Sequence, residues 1–239
     1  MNLDKTILIS GTSKNLGKFL AEYYLNEKFN VVGISRSKVK NSKYNIYKCD
    51  LSNAKMTNVI FKKIKTKYKK IDYIISCAGF SKKSYKEEEN LKDWNLAFNN
   101  NFFCFTNLLT SYLKHYKKKP TKIVVISSIA SKKITKAPIT YSVAKSALNF
   151  YSQFKAKQLA KHKININILL PGNILMKNNN WDKKIKKNKR DIKKYIKDNV
   201  PLNNFCNPNQ IIELCNYLFG KSGDYITGSK FIIDAGETL

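Results

Sequence analysis

The chain has 239 residues and a formal net charge of +29 at pH 7. This length suits a single α/β domain with a sizeable core, which we predict to cover residues 1–239. No apolar run is long enough to cross a bilayer, and the first residues lack the apolar segment of a signal peptide. We therefore expect a cytoplasmic protein without a membrane partner.

The cysteines, histidines and lysines narrow the class further. Five cysteines without a Cys-x-x-Cys pair and only two histidines disfavour a disulfide framework or a zinc site, so no metal is predicted. A charge of this size attracts polyanions. Only Arg36 and Arg190 are arginines, and the lysine excess, with abundant Asn and Ile, indicates AT-biased coding more than a specific nucleic-acid partner. Electrostatic steering of an acidic substrate remains an open alternative.

The predicted elements begin with a strand, a glycine turn and a helix. The apolar run 6–10 is followed by two glycines and by an amphipathic stretch over 18–28, and a strand over 30–35 completes a βαβ unit. Glycines in such a turn let backbone N–H groups approach a pyrophosphate, and a helix N-terminus adds favourable partial charge. The candidate cofactor contacts in the turn are Gly11, Ser13, Lys14, Asn15, Leu16 and Gly17.

Arg36 ends the second predicted strand, where a site for NAD usually carries an acidic residue for the ribose hydroxyls. With Lys14, this cation predicts a pocket for the 2′-phosphate of NADP(H), because arginine can bind a phosphate through two parallel hydrogen bonds. The alternative is that both residues are ordinary surface cations of a lysine-rich chain.

Five more strand-like runs alternate with helical stretches, at 44–48, 72–76, 122–127, 164–170 and 230–233. Alternation of this kind is typical of a parallel sheet that is covered on both faces. We predict an α/β fold of the Rossmann type, a single doubly wound domain with a seven-stranded parallel sheet flanked by helices.

Three residues near the middle of the chain form a candidate proton-transfer site. Tyr141 and Lys145 are four residues apart in a helix predicted within 137–162, so their side chains lie on the same face. An ammonium group beside a phenol stabilises the phenolate and makes a tyrosine a better acid-base catalyst near neutral pH. Ser128 follows the apolar run 123–126, which places its hydroxyl at the carboxyl end of a strand, where open α/β sheets bind ligands.

With these motifs in order, the chain resembles the short-chain dehydrogenase/reductase family over almost its whole length. Further landmarks of that family are Cys49-Asp50-Leu51, Ala78-Gly79, Asn101 seven residues after Trp94, Pro171-Gly172, and the closing segment 227–236. The resemblance implies that Asn101, Ser128, Tyr141 and Lys145 are catalytic, with Asn101 positioning a water in a proton relay. It also implies cofactor contacts from Asp50, Leu51, Ala78, Gly79, Tyr141, Lys145, Pro171, Gly172 and Ile174.

Four positions depart from the pattern of that family. Asn15 replaces the middle glycine of the nucleotide turn, and its side chain can crowd the pyrophosphate although asparagine tolerates positive φ. Ser76 and Cys77 replace two asparagines, so we expect some hydrogen bonds between strands to be missing or replaced. Met176 lies where the family usually has a threonine near the nicotinamide carboxamide, which puts that contact in doubt.

The resemblance implies an NADP(H)-dependent reductase that converts a ketone to a secondary alcohol, with Tyr141 as the proton donor. A 3-oxoacyl thioester on acyl carrier protein is the first choice of substrate, because the chain is compact and a cationic surface suits an acidic carrier. The alternatives are a keto-sugar or sugar-nucleotide reductase of surface-polysaccharide synthesis and a non-catalytic NADP(H)-binding sensor.

The segment 177–199 is the densest basic stretch, and the resemblance implies that it is the substrate lid. Its lysines suit a phosphate, a sugar nucleotide or an acidic carrier protein, or they are simply the charges of a mobile lid. The resemblance also implies a homotetramer or homodimer that packs through helices near 95–116 and 142–161. Leu148, Phe150, Tyr151 and Phe154 are candidates for that interface or for the core.

Overall fold

The computed structural model describes residues 5–37, 42–81, 88–177 and 179–239. In these ranges the strands are β1 (Thr6–Ser10), β2 (Asn30–Ser35), β3 (Asn45–Lys48), β4 (Tyr73–Ser76), β5 (Thr121–Ile126), β6 (Ile164–Pro171) and β7 (Lys230–Ile233). The α-helices are α1 (Asn15–Asn26), α2 (Ala54–Lys67), α3 (Leu91–Phe98), α4 (Cys104–Tyr116), α5 (Ile139–Leu159), α6 (Asn180–Lys187), α7 (Lys189–Asn199) and α8 (Pro208–Phe219).

All seven strands form one parallel sheet in the order β3-β2-β1-β4-β5-β6-β7. The predicted seven-stranded Rossmann-type sheet is therefore confirmed, and the predicted strands agree with the observed ones to within one residue at each end. The strand order reverses direction at β1, which lies between β2 and β4. In open parallel sheets, ligands usually bind in the crevice at the carboxyl ends of the strands where the strand order reverses.

The apolar core has two layers, one on each face of the sheet. Successive side chains of a strand point to opposite faces, and β1 shows this directly. Leu8 packs in the layer with α2, α4 and α5, whereas Ile7 and Ile9 pack in the layer with α1 and α8. The runs of Ile and Val in the central strands are buried because helices cover both faces.

Asparagine side chains cap several helices. Asn53, Asn90, Asn179, Asn188 and Asn207 each accept a hydrogen bond from a backbone N–H in the first turn of α2, α3, α6, α7 and α8, respectively. Asparagine is among the best N-cap residues because its amide oxygen satisfies an otherwise unpaired donor. Part of the high asparagine content therefore fixes where helices begin. Within the described ranges, no helix is both long and apolar enough to span a membrane.

Candidate active site

The turn between β1 and α1 brings its backbone close to the chain that follows β4. Gly11 has φ of +82°, and a Cβ added there would lie 3.1 Å from the Cα of Ala78. A Cβ on Gly17 would lie within 3 Å of the backbone of Gly11. Both positions therefore need glycine for close packing. Asn15 has φ of 49°, so the asparagine adopts the left-handed conformation that a glycine would otherwise supply.

A cavity of about 490 Å³ opens at the carboxyl ends of β1, β2 and β4. It is lined by all of the predicted contacts on this side, namely Gly11, Ser13, Lys14, Asn15, Leu16, Gly17, Arg36, Asp50, Leu51, Ala78 and Gly79. Asn99 and Asn100 also line it, although the sequence analysis did not identify them. The guanidinium of Arg36 donates to the side-chain oxygen of Asn100 at 2.8 Å, which holds this cation at the cavity.

A second cavity, of about 690 Å³, adjoins the first and shares Leu16, Cys77 and Gly79 with it. The predicted residues that line it, besides Leu16 and Gly79, are Ser128, Tyr141, Lys145, Pro171, Gly172 and Ile174. The structure thus brings the two halves of the predicted site into one cleft. The glycine turn lies at one end of this cleft and Ser128, Tyr141 and Lys145 at the other, an arrangement that suits an NAD(P) dinucleotide.

Ser128, Tyr141 and Lys145 meet in this second cavity. Lys145 is only 4% exposed, and its Nζ donates to the backbone oxygen of Ile126 at 2.9 Å, at the end of β5. The same Nζ lies 5.8 Å from the centre of the Tyr141 ring. The hydroxyl of Ser128 accepts a hydrogen bond from the backbone N–H of Ala130 at 3.2 Å. Because a hydroxyl also carries one hydrogen, Ser128 retains the capacity to donate.

Asn101 is fully buried in a short π-helix that spans Asn99–Phe103 between α3 and α4. Its side-chain nitrogen donates to the backbone oxygens of Phe80 and Ala97 at 2.8 and 3.0 Å, and its side-chain oxygen accepts from the N–H of Phe80 at 3.1 Å. The side chain therefore fixes the chain after β4. A Cβ on Gly79 would lie 3.0 Å from the Asn101 Oδ1 and 3.3 Å from the Lys145 Nζ, so both groups approach this glycine.

The expected replacement of hydrogen bonds at Ser76 and Cys77 has a visible counterpart. The hydroxyl of Ser10 accepts hydrogen bonds from the N–H groups of Cys77 and Ala78 at 3.1 and 3.0 Å, which ties the end of β1 to the chain after β4. Burial raises the pKa of the Cys77 thiol to about 12. This thiol is therefore protonated at neutral pH and is a poor nucleophile.

Met176 packs against the core layer that contains α1 and α8. At the cavity, the neighbouring positions are filled by Ile174 and Asn173. Among the described residues, no group of three or more His, Cys, Asp or Glu side chains is placed to hold a metal ion, and all five cysteines are free.

Three polar residues of the second cavity were not predicted from the sequence to form part of the site. Asn173, Tyr195 and Glu237 line this cavity, and the side-chain nitrogen of Asn173 donates to both of the others. Glu237 comes directly after the family-like closing segment and Asn173 directly after Pro171-Gly172, but they are 64 residues apart. No sequence spacing connects them. Trp181 and Ile192, from α6 and α7, also line this cavity.

Fold and site together define an oxidoreductase of the Rossmann type. The family model described as enoyl-(acyl carrier protein) reductase matches residues 12–238. The chain belongs to the short-chain dehydrogenase/reductase family, as its motifs predicted.

Individual relatives cover nearly the whole chain at low identity. The 3-oxoacyl-[acyl-carrier-protein] reductase FabG of Buchnera aphidicola is 26% identical over 246 residues, which are 99% of this chain and 98% of that protein. Glucose 1-dehydrogenase 2 of Bacillus subtilis is 24% identical over 250 residues, 98% of this chain and 95% of that one. The structure of ElxO with NADP bound has a TM-score of 0.89 at 26% identity and covers 98% of each chain.

Proposed function

We propose that this protein reduces a ketone to a secondary alcohol with NADPH. The observation that carries the proposal is the single cleft in which the glycine turn and Arg36 lie at one end and Ser128, Tyr141 and Lys145 at the other. NADPH, when bound, supplies the hydride. The residues of the chain supply the proton, the orientation of the carbonyl group and the binding of the nucleotide.

Tyr141 donates its phenolic proton to the carbonyl oxygen as the alcohol forms. The ammonium group of Lys145, held beside the ring by the carbonyl of Ile126, stabilises the phenolate that remains. Ser128 donates a hydrogen bond to the same carbonyl oxygen and so orients the substrate.

Arg36 and Lys14 support the choice of NADPH over NADH. Both residues are exposed and line the first cavity. Their positive charges can therefore bind a 2′-phosphate at the protein surface. ElxO, with NADP bound, has the same fold.

Two substrate classes fit the proposed chemistry. The first is a 3-oxoacyl thioester, the substrate named for the relative in Buchnera aphidicola, with an acidic carrier protein attracted by the positive charge. The second is a keto-sugar or sugar nucleotide, which the polar residues of the second cavity favour. A non-catalytic sensor has no need of a phenol placed beside a buried ammonium group, so we give it third place. We also propose that 177–199, which contains α6 and α7, is the substrate lid, because Trp181 and Ile192 line the cavity.

The variant Tyr141→Phe tests the proposed acid. We expect turnover with NADPH and a reducible ketone to fall by a factor of roughly 100 to 10,000, since general acid catalysis contributes that much, while the Kd for NADPH stays within about twofold. Steady-state NADPH oxidation and calorimetric titration of NADPH measure the two quantities. Tyr217→Phe, which removes a phenol from an exposed position of α8, is the matched control and should behave as the wild type.

Unchanged turnover in Tyr141→Phe contradicts the assigned proton donor. Binding of NADPH without reduction of any ketone, thioester or sugar by the wild type favours the sensor instead.

We further propose that the protein forms a homo-oligomer through α5. Leu148 is buried and Tyr151 packs against the core, whereas Phe150 and Phe154 are 73% and 54% exposed. Ile139 and Val143 are also exposed on this helix. The four exposed residues follow one another at spacings of four, seven and four residues. This spacing gives one apolar stripe, which a second copy of the chain can cover.

The double variant Phe150→Lys with Phe154→Lys tests this interface. We expect it to be monomeric where the wild type is a dimer or tetramer, because two like charges in each copy would be buried against one another. Light scattering after size-exclusion chromatography measures the mass. Tyr225→Lys changes a fully exposed aromatic elsewhere and should leave the mass unchanged. A wild type that is monomeric at all concentrations contradicts the proposal.

A further inference from the structure

One wall of the second cavity carries a buried carboxyl group. Glu237 lines the cavity although it is only 9% exposed, and its Oε1 accepts a hydrogen bond from the Asn173 side chain at 2.8 Å. The same nitrogen of Asn173 donates to the hydroxyl oxygen of Tyr195 at 3.2 Å. We call these three residues the carboxylate wall.

The hydrogen-bonding groups of the carboxylate wall have capacity left for a ligand. An amide nitrogen has two hydrogens, and Asn173 directs them to Glu237 and Tyr195. A carboxylate accepts about four hydrogen bonds, and the Asn173 side chain supplies one. Tyr195 accepts from Asn173 and keeps its own hydrogen. The wall therefore offers a ligand in the cavity mainly acceptors, with one phenolic donor.

The buried environment makes the chemistry of the ligand important. Burial raises the pKa of Glu237, and the hydrogen bond from Asn173 opposes that shift. An apolar acyl chain against this wall would displace water without replacing its hydrogen bonds, and an unsatisfied buried polar group is costly. A substrate with hydroxyl groups would instead donate to the carboxylate and satisfy it.

We propose that Glu237, positioned by Asn173, is a specificity-determining residue that accepts a hydrogen bond from a substrate hydroxyl, and that the substrate is a hydroxylated ketone of the keto-sugar class. This inference rests on the proposed ketone reduction and selects between its two substrate classes. Glu237 takes no part in the proton transfer proposed for Tyr141, so its effect appears in the choice among ketones.

A matched pair of ketones isolates this effect. D-Erythrulose and 1-hydroxy-2-butanone share a four-carbon 2-ketone with a hydroxyl on carbon 1, and only erythrulose has hydroxyls on carbons 3 and 4. We expect the wild type to have a higher kcat/KM for erythrulose. In Glu237→Gln, which keeps the shape and removes the charge, the ratio of the two values should fall by about tenfold, and it should fall further in Glu237→Met.

The exposed carboxylate of Glu213 on α8 provides the control, and Glu213→Gln should keep the wild-type ratio. Acetoacetyl-N-acetylcysteamine, as a third substrate, represents the acyl thioesters. If the ratio of kcat/KM values is the same in the wild type and in both Glu237 variants, the inference is overturned. It is also overturned if the wild type has a higher kcat/KM for the thioester than for erythrulose and both variants keep that preference unchanged. Either result leaves ketone reduction itself intact.

Failure of the proposed function gives a different result, because the wild type then oxidises NADPH with none of the three substrates. Binding still decides the inference in that case. Erythritol and D-threitol are titrated calorimetrically into protein saturated with NADP⁺. Binding by the wild type that is weakened at least tenfold in Glu237→Met supports the role of Glu237, and absence of binding to the wild type overturns it.

Discussion

Lys145 is an ammonium group in an almost fully buried position, and such a charge is costly unless it has polar partners. One of its three hydrogens is used by the backbone oxygen of Ile126. We propose that the others bind ribose hydroxyls of the cofactor, while the positive charge stabilises the phenolate of Tyr141. The Tyr-x-x-x-Lys spacing arises by chance in a lysine-rich chain, but the end of β5 gives this lysine a fixed position.

Arg36 and Arg190 allow a clean test of cofactor preference, because they are the only arginines. In Arg36→Gln we expect the Kd for NADPH to rise about tenfold to a hundredfold, because the variant loses the charge-assisted hydrogen bonds to the 2′-phosphate. The Kd for NADH should change little, since NADH lacks this phosphate. Fluorescence titration with both nucleotides measures the two constants.

Arg190→Gln removes the same charge from the exposed face of α7 and should preserve both constants. Equal weakening of NADPH and NADH binding by Arg36→Gln would mean that this residue supports the shape of the cavity through Asn100 and does not read the 2′-phosphate.

Single residues were predictable from the sequence where their neighbours are local. The glycine turn and Ser128 follow strand ends, and parallel strands bring their carboxyl ends to one edge. Tyr141 and Lys145 are one helical turn apart in α5, so their spacing alone places them together. Glu237 and Asn173 were not predictable as a pair, because their contact depends on how the closing segment returns to β6. The hydrogen bonds of Asn101 to Phe80 were equally hidden, since they depend on the π-helix.

At the scale of elements, the strands were more predictable than the helix ends. The central strands β1, β4 and β5 are mostly buried apolar runs, so their limits nearly coincide with changes in composition. Helix starts depend on one cap, and a chain with many asparagines offers many candidates. The amphipathic stretch of the first helix was expected from residue 18, but the helix begins at Asn15, directly after Lys14 and without a side-chain cap.

The cap of α8 illustrates what one asparagine contributes. Asn207 and Gln210 form a capping box, in which each side chain bonds the backbone of the other, and Pro208 occupies the first turn. We expect Asn207→Ala to lower the free energy of unfolding by about 1 kcal/mol, because first-turn N–H groups lose their acceptor. Urea unfolding followed by circular dichroism measures this value.

Asn209→Ala is the matched control in the same turn, and it should change the free energy of unfolding by less than about 0.5 kcal/mol. Its side chain is exposed, and the cap depends on its backbone N–H, which alanine retains. Equal losses from both substitutions would show that the loss does not come from the cap acceptor that Asn207 supplies.

For the molecule as a whole, high pH changes the stability of the fold in two opposite ways, through the net charge and through buried phenols and thiols. Deprotonation of lysines lowers a formal charge of +29 and so reduces self-repulsion. Buried phenols and thiols act the other way. Burial raises the pKa of Cys104 and of Cys206 to about 11 each, and that of Cys77 to about 12. Burial also raises the pKa values of Tyr24, Tyr112, Tyr116 and Cys215.

These groups should make the fold sensitive to alkali. They are neutral when protonated, and in the unfolded chain they lose protons near pH 9 to 10, whereas the folded chain retains them. The unfolded state then binds fewer protons, so the free energy of unfolding is full below about pH 8.5 and falls as the pH rises. Each such group contributes a slope of about 1.4 kcal/mol per pH unit between its two pKa values. Urea unfolding at pH 8 and 10.5, in high salt that screens the lysines, should show a loss of several kcal/mol.

Tyr116 gives this prediction a residue-level check. Its ring stacks on Tyr112 and its hydroxyl donates to the backbone oxygen of Tyr68 at 2.9 Å, so Tyr116→Phe should cost about 1 kcal/mol at pH 8. Above pH 10 the same variant should lose stability less steeply than the wild type, by up to about 1.4 kcal/mol per pH unit, because one phenol no longer ionises on unfolding. Tyr225→Phe alters a fully exposed phenol and should keep the wild-type slope. Parallel pH profiles for the three proteins would show that repulsion among lysines, and not the burial of phenols and thiols, governs the alkaline limit.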